Sequence, residues 1–111
     1  METFTGIRAS KGMAKGRVRR IHTENPQYQD LREGEILLTE YTTVDIADYL
    51  SLAAAIITFR GSKLCHAAIV CREEPSRPCV VALGEAADGL ETGDLVVVDG
   101  DAGTVSLLEK A

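Results

Sequence analysis

The residues best suited to chemistry lie between Arg60 and Arg72, which read Arg60, Gly61, Ser62, Lys63, Leu64, Cys65, His66, Ala67, Ala68, Ile69, Val70, Cys71, Arg72. A strand that turns through Gly61 and Ser62 into a helix starting near Cys65 puts His66 in the first turn. Backbone N–H groups there lack intrahelical partners and favour an anion. Neutral imidazole is a nucleophile that forms covalent intermediates, so a phosphoramidate on His66 is chemically reasonable. Capture of a phosphoryl group needs mostly positioning and charge stabilisation. First-turn amides would supply donors, and Lys63, Arg60 or Arg72 would supply charge. The plainer alternative is a histidine that only caps the helix or fills the core. Cys65 sits where a helix N-terminus lowers a thiol pKa, but buried packing is the simpler reading. A zinc site from Cys65, His66, Cys71 and Cys79 lacks the short Cys-x-x-Cys pairs such sites use, so no metal is expected.

The elements that must position His66 can be read on either side. Ile36, Leu37 and Leu38 form a continuous apolar run after Gly34, as a strand buried on both faces requires. Thr42 or Thr43 can then cap a helix whose Ile46, Tyr49, Leu50 and Ala53 make one apolar stripe. Ala55 to Thr58 is the next buried strand, and this strand, helix, strand unit suits parallel pairing. The loop from Arg60 to Cys65 therefore leaves the carboxyl end of a parallel strand, the usual place for function in open α/β sheets. The second helix runs from about Cys65 to Glu74 and stops before Pro75 and Pro78. Cys79 to Ala82 reads as a strand, and Gly84 to Gly89 as a helical turn or loop. Leu95 to Val98 and Thr104 to Leu108 make a hairpin across residues 99–103. Upstream, Gly6, Gly12 and Gly16 mark a turn-rich entry, and Arg17 to Ile21 an edge strand. Residues 22–34 read as a loop.

At 111 residues, with 45% hydrophobic and 26% charged content, the chain has the make-up of one soluble globular domain spanning residues 1–111. No apolar run approaches the ~20 residues of a membrane helix. No secretory signal is visible, and three cysteines without paired spacing point to a reducing, cytoplasmic setting. The net charge is −5, yet Arg8, Lys11, Lys15, Arg17, Arg19 and Arg20 crowd the first twenty positions. Such a patch could meet a phosphate-bearing ligand, nucleic acid or an acidic partner, but overall acidity works against non-specific nucleic-acid binding, and a solvated hairpin surface is the simpler reading.

Taken together, Ile36 to Thr39 with Asp45, Ala54 to Thr58 leading to Gly61, His66 to Arg72, Pro78 to Val81 and Gly93 to Gly103 resemble the mobile phosphohistidine ("swivelling") domain of phosphoenolpyruvate-utilising enzymes such as pyruvate phosphate dikinase and phosphoenolpyruvate synthase. The resemblance implies an α/β fold: a compact swivelling β/β/α domain with a mixed sheet and two main helices. It implies that His66 relays phosphoryl groups, with Gly61, Ser62, Lys63, Cys65 and Arg72 around the phosphoryl group. It further implies a phosphotransferase component, not self-sufficient alone, that works with an ATP-grasp domain and a phosphoenolpyruvate- or pyruvate-binding barrel. ATP and magnesium would belong to those partners, with no cofactor bound by this chain. Ser62, Leu64 and Cys65 depart from the small-residue and Thr-Ser-His or Leu-Ser-His patterns of the family, and Pro75, Ser76 and Arg77 replace its Gly-Ile-Pro helix ending. These departures motivate an alternative, a partner-binding module that keeps the fold without the transfer.

Overall fold

A computed structural model describes residues 2–22, 30–42, 50–62, 64–73 and 75–111. Among them are eight strands: β1 (Glu2–Thr5), β2 (Ile7–Ser10), β3 (Met13–Arg20), β4 (Ile36–Thr39), β5 (Ala55–Thr58), β6 (Cys79–Val81), β7 (Leu95–Asp99) and β8 (Thr104–Glu109). One α-helix, α1 (His66–Arg72), lies between β5 and β6, and a 3₁₀ turn spans Glu85–Ala87. The strand order is β1-β8-β7-β3-β4-β5-β6-β2.

β3 joins two kinds of sheet. Its first part, Met13 to Arg17, pairs antiparallel with β7, and its last part, Val18 to Arg20, pairs parallel with β4. β4, β5 and β6 continue in parallel, and β2 closes that side antiparallel to β6. Gly6 alone separates β1 from β2, which stand at opposite ends of the strand order. The sheet therefore curls until its ends meet, and the Gly6 amide donates to the Gly103 carbonyl at 2.9 Å.

This curl gives the two faces different cores. Inside it lie Val18, Ile36, Leu38, Ala55, Ile57, Val80, Val96, Val98 and Val105. On the outer face Leu37, Ile56, Cys79 and Val81 pack with Ala67, Ala68 and Cys71 of α1. The alternation follows from the two-residue period of a strand. It explains why β4, β5 and β6 read as unbroken apolar runs, every residue of each being buried.

The expected mixed α/β sheet is present, with the parallel β4–β5 pair, the strand at Cys79 and the hairpin of β7 and β8. Two expectations need correction. The strand expected at an edge over Arg17 to Ile21 is longer and central, bonded on both sides. Lys15, Arg17 and Arg19 alternate along one half-exposed face, which imitates an edge in sequence. The glycine-punctuated entry also contains two strands, β1 and β2, so the six strands expected become eight; Gly6 lies between β1 and β2, and Gly12 between β2 and β3. Of the two expected helices, the one after Thr42 falls largely on residues 43–49, outside the described residues. Two members of its apolar stripe, Leu50 and Ala53, are buried in the outer core. No helix among the described residues is long and apolar enough to cross a membrane.

Candidate functional site

Parallel pairing puts the carboxyl ends of β4 and β5 side by side, with Thr39 opposite Thr58. The pairing extends past the strands, since the amides of Phe59 and Arg60 donate to the carbonyls of Thr39 and Glu40 at 3.1 Å each. The segment leaving β4 is thus held against the loop leaving β5. Thr42 comes from the first, His66 from the second.

Thr42 Oγ1 and His66 Nδ1 are 2.9 Å apart. Thr42 is buried and His66 half-buried, so the hydroxyl fixes the ring from the protein side. With the proton on Nδ1, Thr42 Oγ1 accepts it and Nε2 keeps its lone pair. Sequence reasoning assigned Thr42 only a capping role. The available signal was its place just beyond a strand that pairs in parallel with the strand feeding His66.

The loop is shaped by two residues. Gly61 has φ +138°, a conformation that L side chains rarely adopt, and a Cβ there would meet Cys65 Sγ at 3.0 Å and Val81 Cβ at 3.3 Å. Ser62 turns the chain: its Oγ accepts from the Leu64 amide at 3.2 Å and its carbonyl from the Cys65 amide at 3.1 Å. Cys65 is the N-cap of α1, with extended backbone and no side-chain capping bond. Its side chain packs against the outer core instead. His66 is then the first helical residue, and its amide and those of Ala67 and Ala68 have no carbonyl within the helix to meet.

The other expected site residues are distributed unevenly. Gly61, Ser62 and Cys65 lie in the loop with His66, and Lys63 lies outside the described residues. Arg60 is exposed and paired with Glu40 at 3.0 Å. Arg72 stands six residues along the helix from His66, roughly 9 Å of axial rise. Its Nε donates to the Ala9 carbonyl at 2.7 Å, so it is turned to β2 at the opposite end of α1. Two exposed apolar side chains flank His66: Leu64, 81% accessible, and Ile69, 47% accessible, one turn on. Beneath the loop Thr58 donates to the Arg60 carbonyl, while the buried Thr39 Oγ1 has no hydrogen-bond partner among the described residues.

Residues 31–103 match the family model for the PEP-utilising enzyme, mobile domain. The phosphoenolpyruvate synthase of Aeropyrum pernix is 41% identical over 100 residues, covering 90% of this chain and 12% of that protein. That of Pyrococcus furiosus is 43% identical over 100 residues, again 90% of this chain and 12% of its own length. The chain thus spans about an eighth of such relatives. Among solved structures, an Enzyme I protein superposes with a TM-score of 0.61 at 29% identity, over 73% of this chain and 33% of that one. The aconitase X of Thermococcus kodakaraensis shares the fold, with a TM-score of 0.68 at 17% identity, over 98% of this chain and 100% of that one. By the family match and by these relatives, this chain belongs to the mobile domains of the PEP-utilising enzymes.

Proposed function

We propose that this chain is a phosphohistidine carrier in which His66 Nε2 takes a phosphoryl group from one partner site and yields it at another. The observation that carries this reading is the 2.9 Å contact of Thr42 Oγ1 with His66 Nδ1: with the ring proton on Nδ1, Nε2 is the nitrogen left for attack. In the forward step the Nε2 lone pair forms the N–P bond while the donor's P–O bond breaks, and its electrons leave with the donor oxygen. The proton stays on Nδ1, held by the threonine oxygen, and the ring carries the positive charge of a phosphorylated imidazolium. That charge keeps the N–P bond labile, so an acceptor oxygen can reverse the exchange without outside acid.

The donor in this reading is a nucleotide- or phosphoenolpyruvate-bearing partner, with an ATP-grasp domain and a phosphoenolpyruvate/pyruvate-type barrel as the two docking sites. ATP and magnesium would be held there, and the whole assembly would act as a phosphotransferase in the cytoplasm. Partial exposure of His66 beside Leu64 and Ile69 suits a group that must enter a partner's site. Incubation with a phosphoryl donor should give an acid-labile, base-stable adduct that is absent in His66→Ala. A donor that labels the family's Pyrococcus furiosus relative but leaves His66 of this chain unmodified would refute the carrier role.

The same exposed Leu64 and Ile69 favour one other reading, a partner-binding module that no longer transfers. It predicts partner capture that is unaffected by His66→Ala but weakened by Leu64→Asp.

A further inference from the structure

We propose that a cleft at the far end of α1, bounded by Arg8, Lys11 and Arg72, binds a phosphate-type oxyanion at a site separate from His66. The starting point is the crowd of basic residues in the first twenty positions, which the carrier reading leaves unexplained. The fold divides them. Arg17 pairs with Glu109 at 3.6 Å, Arg19 with Glu35 through two bonds of 3.1 and 3.0 Å, and Arg20 with Asp88 at 2.8 Å. Arg8 and Lys11 have no carboxylate partner among the described residues, and neither has Arg72. These three cations line one cleft of about 310 Å³, in which Asp101 is the one carboxylate among the described residues.

The walls of the cleft are tied together without any ligand. Ser10, 6% exposed, donates from Oγ to the Cys71 carbonyl at 3.2 Å, fastening the end of α1 to the turn after β2. The β7–β8 turn presses on the same segment: a Cβ at Gly100 would fall 2.0 Å from the Ser10 carbonyl oxygen, so only glycine fits. Both guanidinium groups are aimed by backbone carbonyls. Arg72 donates from Nε to the Ala9 carbonyl at 2.7 Å, and its two Nη groups make no hydrogen bond among the described residues, while Arg8 donates from Nη1 to the Asp101 carbonyl at 3.3 Å. A preset arrangement of this kind reduces the ordering cost of binding.

Two guanidinium forks and an ammonium around a small cleft fit a tetrahedral oxyanion, because the planar fork matches phosphate oxygens and the ammonium adds a point charge. The volume is at the lower end for ligand sites, which suits a phosphate or pyrophosphate group better than a larger body. Arg72 also complements the carbonyl end of α1, but that role does not account for Arg8 or Lys11. The phosphate could be free or borne by a nucleotide.

The test is a titration of the ¹⁵N-labelled 111-residue chain with inorganic phosphate, and in a second arm with AMP, against sodium chloride of equal ionic strength. The proposal expects saturable shifts at residues 8–11, 72 and 100–101. Lys11→Gln and Arg8→Ala should each weaken binding about tenfold, the loss of one charge-assisted contact. Lys11 is exposed, so its variant keeps the fold even if Arg8→Ala does not. Tighter binding of AMP than of phosphate would assign the site to a nucleotide's phosphate, and equal binding to phosphate itself. Shifts that never saturate, that persist unchanged in Lys11→Gln, or that appear only around His66 would overturn the proposal.

Discussion

In the parallel half of the sheet every residue of β4, β5 and β6 is buried, whereas in the antiparallel half β7 alternates between half-buried and buried positions. The first half is covered on both faces and leaves only its strand ends free, and His66 is placed at those ends. The second half has one wet face and is fastened locally instead. Its clasp is Asp94, fully buried, which accepts from the amides of Glu91 and Ala111 at 2.9 Å each and from Lys110 Nζ at 2.8 Å. The contrast separates two tasks in one small fold. One region presents His66 at the ends of fully buried strands, and the other closes the sheet around the inner core.

The largest effect that could break this contrast is a cavity in the platform. Ile56→Ala, between α1 and the sheet, should cost about 2–5 kcal/mol, while a change at the half-buried Val97 to Thr should cost under ~1 kcal/mol, both read by urea unfolding. Similar losses at the two positions would show that the halves are equally packed. Gly61→Ala comes next. Its φ of +138° and the closeness of Cys65 and Val81 predict a loss of about 1–3 kcal/mol and a displaced His66, seen as a changed imidazole NMR signal.

The Asp94 clasp predicts a pH signature confined to the antiparallel half. Burial pushes its carboxyl up, but the bond from Lys110 and the amides of Ala111 and Glu91 outweigh it, so the net shift is downward. A folded-state pKa below the unfolded value of about 3.9 gives stability that is complete above that value and is lost as pH falls through the folded one. Asp94→Asn should therefore be about 1–3 kcal/mol less stable at neutral pH and should lose less than the parent on acidification below pH ~4. Parallel stability curves for the two proteins would argue against the clasp.

Thiol chemistry offers a smaller test of the platform. Cys79 is held protonated, its pKa raised by a hydrogen bond with Cys71 and by burial. Both thiols are buried and Cys65 is half-buried, so iodoacetamide should modify Cys65 first in the folded chain, with Cys71 and Cys79 following only on unfolding. The smallest effect concerns Thr39, whose buried hydroxyl lacks a partner among the described residues. Thr39→Val should be neutral or slightly stabilising, against the usual direction of core substitutions.

Much of the platform was legible in the sequence because strands buried on both faces leave continuous apolar runs, and because Gly61 and Ser62 mark a turn before a run of helix formers. The hairpin was equally plain from its β-branched runs around Asp99 and Gly103. The entry was not, since β1 and β2 are short, glycine-bounded and paired with strands some seventy to a hundred positions away. Position β3 was misjudged for a related reason: Arg17, Arg19 and Arg20 find their partners in Glu109, Glu35 and Asp88, which no local pattern discloses. At the site, His66 and its loop could be picked out by residue type. Thr42 could not, because its link to His66 exists only through the pairing of β4 with β5. Arg72 is a neighbour of His66 in sequence, yet helix geometry carries it to the other end of α1.

The central claim is that Thr42 fixes the proton on Nδ1 and so reserves His66 Nε2 for the phosphoryl group. The most direct measurement is ³¹P and ¹⁵N NMR of the chain treated with phosphoramidate, a small donor that needs no partner, in parallel with Thr42→Val and His66→Ala. The account predicts an acid-labile phosphoryl group on Nε2 of His66, formed about tenfold more slowly in Thr42→Val, as loss of one orienting hydrogen bond implies, and absent in His66→Ala. A label on Nδ1, a label that survives in His66→Ala, or a rate indifferent to Thr42 would contradict it.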